Sequence, residues 1–202
     1  MGTVGAGFSM SLDGFIAGVN DDTEQVFAWM FQGDKDVQVT IGEEAMDLKL
    51  TEEGAEQRHA MEQSVGAIVS GRRLFDVASA WGGRHPLNVP IVVLTHHPPE
   101  EWVNKADSPF TFVTDGIESA VAKAKEIAGD KDVGVGGADV ARQCLKAGLL
   151  DEIGIDLVPV LLGSGVRFFE EMGIEPLTLE ITSVAEDVGV THLRYRVVKD
   201  KS

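Results

Sequence analysis

The chain opens on an alternating apolar run, "TVGAGFSM", which predicts a strand, and passes into "SLDGFIAG", whose Asp-Gly pair predicts a turn. Val26, Phe27, Met30 and Phe31 recur at helical spacing in "DTEQVFAWMF", with Asp21 or Asp22 placed to cap, so a helix is expected there and a polar loop over residues 32–36. "TEEGAEQRHAMEQS" predicts a second helix, capped by Thr51 and acidic in its first turn. Short apolar runs then alternate with helical patterns. Strand "GAIVS" precedes helix "GRRLFDVASAW", strands "VPIVVLT" and "FTFVTD" precede helix "GIESAVAKAKEIAG", and strand "KDVGVG" precedes helix "ADVARQCLKAG", which Gly148 stops. This order predicts parallel strands joined by right-handed crossovers. After "GLLDEIGIDLVPVLLG" come two alternating runs, "LTLEITSVAED" and "VGVTHLRYRVV", expected to form an antiparallel hairpin on the sheet's edge. One compact α/β domain over residues 1–202 is the expectation.

Composition narrows the partners. The chain has 17 Lys plus Arg against 33 Asp plus Glu, a net charge of −16, which repels a nucleic-acid backbone. An anionic small molecule needs local help from helix N-termini or clustered Arg. Cys144 is the only cysteine, so an intrachain disulfide and a Cys-based zinc site are excluded; its helical phase with Val140 and Ala147 reads as core packing. "MGTVGAGFSM" lacks a basic flank and no apolar run reaches about 18 residues, so neither secretion nor membrane insertion is expected, and a reducing, cytoplasmic setting is.

Three strand-to-helix or strand-to-loop junctions carry candidate chemistry. Gly136 and Gly137, followed by Ala138, stand between a strand and a helix; glycines there either let backbone N–H groups approach a phosphate or merely turn the chain. Gly71 precedes Arg72 and Arg73, whose guanidinium groups oppose the macrodipole of the predicted helix unless they serve an anion or a surface carboxylate. Thr95 and His96 follow a buried strand, where ligands sit in open α/β sheets; with His97 they make a poor metal site, because no carboxylate-histidine spacing completes one. Neither a G-x-G-x-x-G fingerprint nor a P-loop is present. Three such sites in one sheet nevertheless suit an extended, multiphosphate or dinucleotide ligand.

The segments "SLDGFIAG", "GRRLFDVASAW", "PIVVLTHHPPEEW" and "VGVGGADVARQCLKAGLLDEIGIDLVPVLLGSGVRFF" resemble, in this order, the dihydrofolate reductase-like superfamily, in the branch that includes the RibD C-terminal domain of bifunctional riboflavin-biosynthesis enzymes. The resemblance implies a mixed, mainly parallel sheet with flanking helices and a C-terminal antiparallel hairpin. It also implies an NADPH-dependent reductase similar to 5-amino-6-(5-phosphoribosylamino)uracil reductase, acting on a pyrimidine-type or other small heteroaromatic substrate. Gly71, Arg72 and Arg73 would then hold phosphate, Thr95 and His96 would lie near the adenosine ribose and its 2′-phosphate, and Gly136, Gly137 and Ala138 would approach the pyrophosphate or nicotinamide. Asp13 corresponds to a carboxylate near the substrate and is the candidate catalytic residue. Two positions depart from the pattern. Leu74 stands where dihydrofolate reductases have Thr, and Val135 where riboflavin-type reductases often have Glu. The alternatives are a true dihydrofolate reductase, with Glu24, Glu52 or Glu56 as its early-helix carboxylate, and a non-catalytic nucleotide-binding protein. Trp29, Trp81 and Trp102 are read as core or rim packing. A homodimer is expected, because riboflavin-type members pair through the C-terminal part and "VPVLLGSGVRFF" is apolar for an exposed segment.

Overall fold

In a computed structural model, which describes residues 2–170 and 172–199, the alternation of strands and helices resolves into one eight-stranded sheet with helices on both faces. The first strand, β1 (Val4–Ser11), turns through Leu12–Gly14 into β2 (Phe15–Ala17). A short helix α1 (Glu24–Phe27) follows, then a hairpin of β3 (Lys35–Ile41) and β4 (Glu44–Leu50), then α2 (Glu52–Ser64). The parallel half consists of β5 (Val65–Gly71), α3 (Arg72–Val77), β6 (Ile91–Leu94), α4 (Glu100–Val103), β7 (Phe110–Val113), α5 (Ile117–Ala128), β8 (Asp132–Gly136), α6 (Ala138–Lys146) and β9 (Glu152–Val158). The two-residue β10 (Val166–Arg167) pairs with β2, and the chain ends in the hairpin β11 (Leu179–Asp187) and β12 (Val190–Val197).

Across the sheet the order is β11-β12-β9-β1-β8-β5-β6-β7. The six strands from β9 to β7 are parallel, and β12 joins β9 antiparallel with β11 outside it, as the alternating C-terminal runs predict. Moving outward from β5 to β7 and then back to β8 reverses the strand order beside β1. That reversal is where open α/β sheets hold their ligands.

One face of the sheet makes the main core. Val4 and Ala6 of β1, Val133 and Val135 of β8, and Ile153 and Ile155 of β9 are buried beneath α5 and α6 together with Cys144 and Phe168. The 3.6-residue period of α6 places Val140, Ala141, Cys144 and Leu145 on that face, and Gly148, at φ 67°, stops the chain after it. Burial pushes the Cys144 thiol up to about 12, so this cysteine behaves as a small hydrophobe. On the opposite face, over β5 to β7, a second cluster gathers Ile68, Phe75, Trp81, Ile91, Val93 and Phe110.

Three sequence expectations change. The helix expected over "DTEQVFAWMF" is only α1 plus a 3-10 turn at Ala28–Met30, although Asp22 does accept from the Glu24 N–H at 3.0 Å. The loop expected at 32–36 runs instead into the β3–β4 hairpin, whose two-residue turn begins at Gly42 with φ 62° and which buries Val39, Leu48 and Leu50. The helix expected over "GRRLFDVASAW" stops at Val77, and Ser79, Ala80 and Trp81 take positive φ (48°, 52°, 47°). That left-handed turn tucks Trp81 edge-on against Phe75, so aromatic burial outweighs the cost of the backbone conformation. Among the described residues no helix is long and apolar enough to cross a membrane.

Candidate active site

Strand alternation puts a different set of residues on the second face of the same three central strands. Gly5 and Gly7 of β1, Gly134 and Gly136 of β8, and Gly154 of β9 all lie there, with Gly5 opposite Gly134 and Gly7 opposite Gly154. Three of these glycines are roofed by neighbours. A Cβ on Gly134 would meet Ile68 at 3.4 Å, one on Gly136 would meet Leu74 at 3.2 Å, and one on Gly154 would meet the Arg194 guanidinium at 3.4 Å. Above Gly7 there is only a backbone oxygen at 4.0 Å, and Gly7 is exposed although it sits mid-strand near the centre of an eight-stranded sheet. A slot results, floored by Gly5 and Gly7 and walled by Ile68 and Leu74 on one side and by Arg194 on the other.

The slot opens toward the C-terminal ends of the parallel strands, because β1 and β8 pair only from Val4–Val133 to Ala6–Val135 while β1 continues to Ser11. At that end stands the Gly pair. Gly137 has φ 93° and caps the nine-residue α6, so its backbone takes a conformation that side chains disfavour at the N–H end of a helix. The turn reading is the one the geometry bears on: Gly137 takes positive φ where the chain passes from β8 into α6, and Gly136 lies against Leu74.

The second junction is arranged differently from its sequence expectation. The helix α3 has only six residues and little macrodipole to offer. Arg72 donates to both oxygens of Asp76 (2.8 and 2.9 Å) and to the His97 carbonyl, and Arg73 donates to Asp21 (2.8 and 3.1 Å). These guanidinium groups serve surface carboxylates, the second of the two outcomes the sequence allows. Gly71 has its own packing reason, since a Cβ there would meet Val140 of α6 at 2.9 Å. At the third junction Thr95 is buried and its hydroxyl accepts from the His97 N–H at 3.2 Å, while His96 is exposed. Thr95, Gly71 and Gly136 nonetheless lie on one edge of the sheet, at successive C-terminal strand ends.

Asp13 is a clamp. Its carboxylate accepts from the Ser11 hydroxyl (2.6 Å), the Leu162 N–H (3.1 Å) and the Gly163 N–H (2.7 Å), tying the β1–β2 turn to the segment after β9. The Ser11 hydrogen bond, helped by the two backbone N–H groups, pulls its pKa down to about 2, so at neutral pH it is an ionised acceptor and cannot donate a proton. Ser11 completes the unit by accepting from the Phe15 N–H at 3.0 Å.

Glu24, Glu52 and Glu56 are all exposed, and Glu52 pairs with Lys35. Trp81 and Trp102 pack with Phe75 and Phe110, and Trp29 packs against the cluster of Val39, Leu48 and Leu50, as expected; Trp29 also donates from Nε1 to Ser9, on the glycine face, at 3.0 Å. Sequence reasoning missed the carboxylate on this face. Asp156 of β9 lies opposite Ser9 and His192 and accepts from both His192 and Arg194. The signal was available: in "EIGIDLV" the small and acidic residues share one phase, the same phase as the glycines of "VGAGFS" and "VGVGG".

Two concavities lie elsewhere. One of about 460 Å³ is lined by Phe75, Trp102 and Lys105, and one of about 720 Å³ by Arg142, Lys146 and Arg167. Neither includes a residue of the slot, whose openness follows from the exposure of Gly7. Among the described residues no three His, Cys, Asp or Glu side chains converge to hold a metal.

This architecture is shared with solved structures. A putative riboflavin biosynthesis protein from Shewanella sp. PV-4 superposes with a TM-score of 0.73 at 20% identity, over 98% of this chain and 100% of that one. The deaminase/5-amino-6-(5-phosphoribosylamino)uracil reductase of Thermotoga maritima matches at 0.62 and 15% identity, over 98% of this chain and 57% of that longer one. Dihydrofolate reductase from Enterococcus faecalis, complexed with NADP(H), matches at 0.58 and 13%, over 98% and 97%. In sequence, the chain is 26% identical over 110 residues to the uncharacterized protein YwjB of Bacillus subtilis (strain 168), a match that spans 54% of this chain and 62% of that relative. The model of one family, described as the RibD C-terminal domain, matches residues 3–193. With a dihydrofolate reductase-like sheet and a family match over nearly its whole length, the chain belongs to the RibD C-terminal domain family.

Proposed function

We propose that this protein is an NADPH-dependent reductase that delivers hydride to a small planar heterocycle of the pyrimidine type. The observation that carries the reading is the slot over Gly5 and Gly7, which runs at the strand-order reversal to Gly136 and Gly137 at the start of α6. The residues present fit a dinucleotide there, because the floor carries no side chain and the α6 N-terminus meets negative charge with free N–H groups. Gly136, Gly137 and Ala138 would hold the pyrophosphate and border the nicotinamide. Gly71, Thr95 and His96 would line the adenosine end. Arg72 and Arg73 reach a 2′-phosphate by exchanging Asp76 and Asp21 for it, which is the cationic contribution to NADPH over NADH. When bound, a reduced nicotinamide would supply a hydride to the acceptor carbon, with the proton for the adjoining nitrogen or oxygen coming from solvent. The protein's part is orientation and exclusion of water, with Asp13 holding the loop at the mouth of the slot.

Leu74 favours a second reading. Its apolar side chain lies against the Gly pair, 3.2 Å from the position of a Gly136 Cβ, where a hydroxyl would give phosphate a donor. A nucleotide-binding protein without turnover follows if that loss is decisive. A dihydrofolate reductase reading is weaker, since the three early glutamates are exposed. The homodimer remains part of the proposal. Its best surface is the edge strand β11, where Ile181 and Val184 are 65% and 58% exposed.

Fluorescence titration of NADPH and NADH against wild type and Gly137→Val tests the reading. Micromolar NADPH binding, about −8 kcal/mol, lost in the variant and followed by oxidation of NADPH with a heterocyclic acceptor, supports a reductase. Binding without turnover supports the second reading, and no binding of either nucleotide overturns both.

A further inference from the structure

The slot ends at a carboxylate that is only half used. Asp156 stands on the glycine face, two residues beyond Gly154 on β9 and opposite Ser9, which is two residues beyond Gly7 on β1. Its Oδ1 accepts from His192 Nδ1 at 2.7 Å and lies 2.9 Å from Arg194 Nη2, whereas Oδ2 takes no hydrogen bond among the described residues. The side chain keeps 21% of its surface exposed. An ionised carboxylate has about four lone-pair sites, so half of this one's capacity faces outward.

Both donors are fixed. His192 is buried, with Trp29 edge-on at 5.3 Å, and its Nε2 has no hydrogen bond, lying 3.7 Å from an Asp187 oxygen that already accepts from the Thr51 hydroxyl. Arg194 lies across Gly154 and spends its guanidinium on Asp156, on the carbonyls of Ile155 and Leu193, and on Gln57. Arg194, the cation over this end of the glycine face, is thus already paired with a carboxylate.

Resting on the reductase reading above, we infer that Asp156 Oδ2 is the acceptor that orients the substrate, a planar nitrogen heterocycle entering the slot with an N–H edge toward β9. His192 and Arg194 are positioning residues that hold Oδ1 and so turn Oδ2 to the slot. Burial raises the pKa of Asp156, but His192 and Arg194 together outweigh it and leave it below the ordinary carboxylate value. The group is therefore an acceptor only, and the ligand must be the donor. A lactam, ureide or amino-substituted ring satisfies this.

Uracil and 1,3-dimethyluracil differ in two ring N–H groups and form the test, titrated into wild type and Asp156→Asn with and without NADPH. Wild type is expected to bind uracil at least about tenfold more tightly, the scale of one hydrogen bond to a charged group. In Asp156→Asn the two donors keep the amide oxygen, so the NH₂ faces the slot and donor meets donor. Uracil affinity then falls to that of the dimethyl compound, while NADPH affinity is unchanged. His192→Ala should lower uracil binding and His192→Asn, whose amide N–H replaces Nδ1, should restore it; a purely structural role would not give that rescue. Equal affinity of the two ligands for wild type, or an Asp156→Asn protein that discriminates as wild type does, overturns the assignment. If NADPH fails to bind wild type, the reductase reading falls instead, and the ligand pair measured without cofactor still decides on Asp156.

Discussion

The two faces of β1, β8 and β9 are built from alternate residues of the same segments and behave as different materials. On one face Val4, Ala6, Val133, Val135, Ile153 and Ile155 pack under α5 and α6 with little or no exposure. On the other, Gly5 and Gly7 leave backbone bare between Gly134, Gly136 and Gly154, which Ile68, Leu74 and Arg194 roof, and the polar residues Ser9 and Asp156 close the row. Packing stability resides on the first face, and the proposed ligand recognition belongs to the second. A period of two lets a single strand serve both without compromise, because a change on one face leaves the other's packing untouched.

Substitutions should separate the faces. The largest effect on stability is expected from Ile153→Ala, which opens a cavity in the packed face and should lower unfolding free energy in urea by about 2–5 kcal/mol with no change in NADPH affinity of the folded protein. Gly137→Val comes next, since φ 93° is strained for a β-branched residue; about 1–3 kcal/mol of stability should be lost, and NADPH binding with it. Gly7→Ala should do the reverse of Ile153→Ala. Its Cβ meets nothing closer than 4.0 Å and its φ suits a side chain, so stability should stay within about 1 kcal/mol of wild type, on the stabilising side, while ligand affinity drops.

Asp13→Asn probes the mouth of the slot through pH. The folded-state pKa of Asp13 is depressed to about 2 from 3.8, so its contribution is fully present above pH of about 4 and is lost as pH falls through about 2. Urea midpoints of wild type should decline over that window more steeply than those of Asp13→Asn, and the two curves should run parallel above it. The smallest effect belongs to Arg73→Ala. Its exposed pair with Asp21 contributes about 0–1 kcal/mol, so a stability change beyond that range would show that the pair is structural rather than exchangeable for phosphate.

The packed face was legible in the sequence because burial leaves a periodic trace: valines alternating in "KDVGVG" and the 3.6-residue spacing of α6 both came through. The C-terminal hairpin was legible for the same reason. The β3–β4 hairpin was missed although "VQVTIGEEAMDLKL" alternates, because its charged residues obscure a short period that only Gly42 punctuates. The left-handed turn at residues 79–81 was not legible, since Trp81 is held there by Phe75, a tertiary contact with no local signature.

At the site, Gly136 and Gly137 could be found as punctuation between strand and helix, but the partners of Arg72 and Arg73 could not. Asp21 is 52 residues from Arg73 in the chain, and only folding brings the two together. Asp13 was visible as a turn residue; its use as a three-bond clamp depends on Leu162 and Gly163, about 150 residues away. The open floor at Gly7 is a statement about what fails to cover a residue, and no local pattern encodes that.

The account stands on the claim that the glycine face receives a reduced nicotinamide dinucleotide. The most direct measurement is the backbone amide NMR spectrum of the protein titrated with NADPH, in which glycine signals report the floor residue by residue. The account predicts shifts concentrated at Gly7, Gly136 and Gly137 with the packed-face amides of α5 unmoved. Shifts clustered instead around Trp102 and Lys105, or around Arg142 and Arg167, or no shift at all, would contradict it.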